Sequence, residues 1–191
     1  MTRRLLTLLT MVALASPAFA QTTDMGYDGS LSESMASVAK KMHATIRRNI
    51  AEGAESMPAE DYRYKPHPDS RNFGQLIGHV ISANYFFCSQ AIGAAYPGTM
   101  NYEQLSDKAA FVAALNESLA YCDRAYASTT DATFNQPVTV GAAGSQRPTA
   151  TIRGAVLMFN VAHNNEHYGN IVVYMRATGH VPPSTARTRL K

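Results

Sequence analysis

The feature that most restricts the fold is the long run of residues 149–178, with Gly179 behind it. Ile152, Val156, Phe159, His163, His167, Asn170 or Ile171, and Tyr174 recur at spacings of three and four. That is the period of a helix with one buried stripe. Thr149 or Thr151 suits the N-cap, where a short hydroxyl satisfies an orphan N–H. Gly179 suits the position past the C-terminus, where a left-handed backbone is favourable. The stripe carries His163 and His167 one turn apart. Side chains at i and i+4 point the same way, so two imidazoles can reach one metal ion. The same spacing also suits a solvated or hydrogen-bonded pair. Asn164 stands where the metalloprotease signature has Glu, and Glu166 is at the wrong offset to replace it.

Three further helices are expected. Leu31, Met35, Val38, Met42, Ile46 and Ile50 mark the first, with Ser30 as cap. His43 lies beside that stripe as a boundary residue. The second starts near Ser70 and runs to about Ala94–Pro97, burying Phe73, Leu76, Ile77, Val80, Ile81, Asn84, Phe87 and Cys88. His79 lies close to its buried side, and Gly74 and Gly78 remove bulk around it, allowing a close approach. Ser106 caps the third, whose stripe is Phe111, Leu115, Leu119, Cys122 and Tyr126. Between the third and fourth, residues 134–140 suit a short extended piece interrupted by Pro137. Pro182 and Pro183 are expected to end regular structure, leaving residues 184–191 as a flexible tail.

Four long apolar stripes without a strand-rich half predict an all-α four-helix bundle. The connection of about ten residues between the second and third helices reaches roughly 33 Å when extended, enough to let them lie parallel. Residues 1–20 read as a cleaved secretory signal: Arg3 and Arg4, an apolar run over residues 5–14, then Ala18-Phe19-Ala20. The expected product is a single bundle domain over residues 21–183, exported to a periplasmic or extracellular compartment, with no membrane segment after cleavage. The 17 basic and 14 acidic residues nearly balance once Arg3 and Arg4 are removed, which argues against a nucleic-acid partner. In an oxidising compartment Cys88 and Cys122 suit a bridge between two helices, or else two buried thiols.

The run Phe73-Gly-Gln-Leu-Ile-Gly-His79-Val, taken with His163-Asn-Asn-Glu-His167-Tyr-Gly-Asn and the following residues to Pro183, resembles the DinB-like superfamily of bacterial four-helix proteins. The resemblance implies an up-down-down-up bundle and a homodimer. It also implies one divalent metal held by His79, His163 and His167. Some relatives are thiol transferases, and others catalyse thiol-dependent isomerisation. Gly169-Asn170 departs from the family's Gly-Gln step, although Asn170 can still hydrogen-bond beside the site.

Three neutral imidazoles would leave metal positions open for water or a small-molecule substrate, and do not choose between zinc, nickel, iron and manganese. Glu166 and Tyr174 are candidate catalytic groups, and Asn84, Asn160 and Asn170 candidates for orienting the ligands. The expected function is a metal-dependent hydrolase or thiol transferase. The alternatives are a non-catalytic metal-binding or stress protein, and a bundle whose histidines are structural.

Overall fold

The structure is a computed structural model that describes residues 33–141 and 148–189. The expected signal over residues 1–20 and the Ser30 cap lie outside the described residues. Four long helices form: α1 Met35–Ser56, α2 Phe73–Ala91, α3 Lys108–Ala127 and α5 Arg153–Ala177. A single turn, α4 Asp131–Phe134, follows α3, and α6 Pro183–Arg189 closes the chain. Strands β1 Pro137–Val140 and β2 Thr149–Ile152 pair antiparallel, Val138 opposite Thr151. Among the described residues no helix is long and apolar enough to cross a membrane.

Local chemistry sets the helix starts. Ser34 accepts from the Ser37 N–H and caps α1. Asn72 and Gln75 form a reciprocal capping box, so α2 begins at Phe73 and not near Ser70. Asp107 caps α3 in place of Ser106, its carboxylate accepting from the Ala110 N–H. The fourth long helix begins at Arg153, because the backbone of residues 149–152 pairs with β1. Ile152 is therefore its N-cap, and neither Thr149 nor Thr151 caps it. Gly179 takes φ +85° just past the C-terminus, as its position suggested.

Cross-contacts give the helix directions. Lys108 Nζ, at the start of α3, donates to the Glu55 carbonyl at the end of α1, so these helices are antiparallel. Phe111 packs on Gly74, and Cys88 is disulfide-bonded to Cys122, so α2 and α3 are parallel. Ile171 meets Gly53, so α1 and α5 run the same way. The order is up-down-down-up, and residues 92–107 travel back along α2. One core cluster centres on Ile50, Phe73, Ile77, Leu115 and Ile171, and another on Cys88, Cys122, Tyr126 and Leu157. All five residues of the third predicted stripe are buried.

The fourth stripe needs correcting. Phe159 is 59 % exposed, while Asn160 and Asn164 are fully buried, so the inward face of α5 is more polar than apolar spacing implied. His43 is buried rather than at a boundary: it stacks on Tyr126 at 4.0 Å and its Nε2 lies 2.9 Å from Asp123 Oδ1. The C-terminal prolines do not end regular structure. Pro183 opens α6, where its fixed φ and missing N–H suit a first helical position. Arg187 then pairs with Glu52 and Asn49 of α1.

Candidate metal centre

His79 sits nearly two turns into α2. Two glycines before it let neighbours come close. The Phe111 ring fills the space at Gly74, and the backbone of Tyr102 and Glu103 fills the space at Gly78. This seats the short 3₁₀ turn Tyr102–Gln104 against α2. Glu103 Oε1 then lies 3.4 Å from His79 Nδ1, while its Oε2 accepts from Arg71 Nε at 3.0 Å. A carboxylate on one ring nitrogen fixes the orientation of the other.

That other nitrogen points across the bundle at α5. His79 Nε2 is 3.2 Å from His163 Nε2, and His163 Nε2 is 3.1 Å from His167 Nε2. The three candidate ligand atoms all lie within 4.8 Å of one another. A neutral imidazole nitrogen carries either one proton or one lone pair. His163 Nε2 cannot serve both neighbours well as a hydrogen-bonding group, whereas three lone pairs aimed at a shared cation satisfy all three rings. Two metal–nitrogen bonds of about 2.0–2.1 Å place their nitrogens roughly 3–3.4 Å apart, so the two short contacts fit a first-row divalent ion.

Electrostatics favour the neutral, ligand-competent form. Burial pushes the His167 pKa down to about 4, helped by the nearby charges of His163, His79 and Arg71. Burial also lowers His163, reinforced by His79 and opposed by Asn164 and Glu166. His79 is lowered by burial and Arg71, against the pull of Glu103 and Glu166.

The remaining candidates divide. Glu166 is exposed, yet its charge acts on His79 and His163, so it borders the cluster. Asn170 Nδ2 is 3.5 Å from His167 Nδ1. The Tyr174 hydroxyl instead donates to the Arg71 carbonyl at 2.7 Å, tying α5 to the segment before α2. Asn84 and Asn160 hydrogen-bond to one another rather than to the imidazoles. Asn84 Oδ1 accepts from Asn160 Nδ2 at 3.1 Å and Asn164 Nδ2 at 2.9 Å, and Tyr126 donates to Asn160 Oδ1. These asparagines cross-link α2, α3 and α5 beneath the histidines. Arg71, Glu103 and Asn164 were absent from the sequence-based candidates; the two glycines of α2 were the one signal that something approaches His79.

A cleft of about 590 Å³ opens beside His79 and His163, with Ala83, Phe86, Phe87 and Tyr96 along its wall. A cleft of similar size, about 620 Å³, lies between Glu55 and Lys108 and contains no imidazole.

Residues 42–171, which include all three histidines, match the family model of the DinB superfamily. The chain belongs to the DinB superfamily. The crystal structure of a DinB-like protein from Bacillus cereus is similar to this DinB-superfamily chain, with a TM-score of 0.64 and 16 % identity. The alignment covers 76 % of this chain and 94 % of that one, and at this identity the likeness is one of fold. No curated protein matches the chain.

Proposed function

We propose that this DinB-superfamily protein binds one divalent metal through His79, His163 and His167 and acts on a small molecule by hydrolysis or thiol transfer. The observation that carries this reading is the convergence of three Nε2 atoms from two helices. When bound, the metal would supply Lewis acidity, lowering the pKa of water or a thiol. The protein's own residues do the rest. Glu103, braced by Arg71, holds the His79 ring, burial keeps the imidazoles unprotonated, and Glu166 offers an exposed carboxylate at the border for a proton. Structural metal sites are closed by protein ligands, whereas catalytic ones keep a position open. The cleft beside His79 and His163 favours turnover over metal storage for that reason.

The test is metal analysis of untagged protein, comparing wild type with His79→Ala and His163→Ala. The expected result is about one metal per wild-type chain and little in either variant. Unchanged metal content in both would leave the histidines structural. Turnover against a panel of esters, amides and thiol conjugates separates an enzyme from a non-catalytic metal-binding protein. Export is part of the proposal, supported by the leader-like residues 1–20 and the Cys88–Cys122 bridge. So is a homodimer, which light scattering of the mature chain would test.

A further inference from the structure

The cleft beside the histidines has a chemistry of its own. The Phe87 ring lies 5.5 Å from the His163 ring and 5.2 Å from both Phe86 and Phe159. These rings form a continuous aromatic path from an imidazole to the surface. Phe86 is 36 % exposed and Tyr96 43 %, so large apolar side chains face water along a concave wall. Among the described residues, no Lys, Arg, Asp or Glu lines the cleft. Two of its polar groups are already engaged: Ser82 Oγ donates to the Gly78 carbonyl, and Gln90 Oε1 accepts from the Gly141 N–H. The charged pair Arg71 and Glu103 stands at the Nδ1 side of His79, away from the nitrogen that meets His163. The volume is within the range of roughly 300–1,000 Å³ that encloses small ligands.

We propose that this cleft seats a neutral aryl or branched-alkyl group of the substrate, whose small polar head, a thiol or carbonyl, reaches the three Nε2 atoms. The head group rests on the metal reading above; the apolar group rests on the cleft alone. Phosphorylated or sugar-like substrates are disfavoured, because the described wall offers no cation and little polar surface to replace their hydration.

Two titrations on the full chain test this, each comparing wild type with the double variant Phe86→Ala/Tyr96→Ala, both residues of the cleft wall. Both side chains are partly exposed, so the variant is expected to fold, which circular dichroism and Tm would confirm. In metal-free protein, the neutral fluorophore N-phenyl-1-naphthylamine is expected to bind, with affinity falling about tenfold in the variant, the effect of withdrawing roughly half a ring from water. In cobalt-loaded protein, 2-phenylethanethiol is expected to bind about tenfold tighter than 2-mercaptoethanol, read from cobalt absorption, by the same apolar contribution. That preference should vanish in the variant while cobalt affinity is unchanged. Equal affinities for the two thiols in wild type, or fluorophore binding indifferent to the variant, would overturn the proposal. Failure of the metal reading shows separately, as cobalt bands that are absent or insensitive to His79→Ala, and the fluorophore titration still decides the cleft.

Discussion

Gly78→Ala tests the seating of the turn that carries Glu103. A Cβ at residue 78 would lie 2.4 Å from the Tyr102 carbonyl oxygen and 2.7 Å from the Glu103 nitrogen. Ordinary contact begins near 3.4 Å, so the turn must retreat by about 1 Å. The obstacle is backbone, which cannot swing aside as a side chain can. Overpacking of this kind costs about 1–3 kcal/mol. Replacing glycine by alanine inside a helix returns about 1 kcal/mol. Gly169→Ala supplies the reference, since a Cβ there meets nothing within 4 Å on the same kind of helical backbone. Subtracting the two variants cancels propensity and leaves the clash. In urea denaturation of metal-free protein, Gly78→Ala is expected to be about 1–3 kcal/mol less stable than Gly169→Ala. The displaced carboxylate should also weaken metal binding by about 10- to 100-fold, measured by chelator competition. Equal stability of the two variants refutes the close seating. A stability loss with unchanged metal affinity refutes an orienting role for Glu103.

Other expectations follow from the same geometry. Glu103→Gln should lower metal affinity about tenfold or more with little change in metal-free Tm, because besides the carboxylate beside His79 Nδ1 it removes only a partly exposed ion pair to Arg71. Replacing Cys88 and Cys122 by serine opens a loop with a sequence separation of 34. Loop entropy predicts a loss of about 4 kcal/mol, and reductant should then leave the variant's Tm unmoved while lowering that of wild type. Tyr174→Phe removes the hydrogen bond to the Arg71 carbonyl and should destabilise by about 1 kcal/mol. If turnover is found, a pH profile that loses a limb in this variant would contradict the anchoring role. His43 has a folded pKa below its ordinary 6.5, chiefly through burial, with the Asp123 contact opposing it. The unfolded chain therefore binds more protons once the pH drops below about 6.5, and stability is full above that value and declines on acidification. Denaturation of metal-free protein at stepped pH should show this slope, flattened in His43→Gln; an unchanged slope would place the proton uptake elsewhere.

Much of the bundle could be read from apolar spacing because its stripes are real. Phe111, Leu115, Leu119, Cys122 and Tyr126 are all buried where the period places them. The second stripe also put His79 near the core, and its two glycines announced a close neighbour. Spacing failed where another interaction outweighed it. Thr149 to Ile152 look like a first helical turn, yet their backbone finds partners in Pro137 to Val140. Phe159 keeps the period of α5 but lies outside the core, because buried asparagines on α2 and α5 satisfy one another and turn that face inward. Glu103 belongs to no stripe. It comes from a three-residue turn far along the chain, and only tertiary packing brings it to His79.

The return of residues 92–107 along the flank of α2 has a further consequence. Had α2 and α3 formed a hairpin, their connection would have reversed at the helix tip and never reached the middle of the shaft. Here it passes mid-shaft, so the spacing of one loop decides which side chain stands behind His79. Lengthening or shortening that connection by a residue would exchange the group behind His79, and because Tyr102 of the same turn is buried in the core, the exchange would disturb packing there as well.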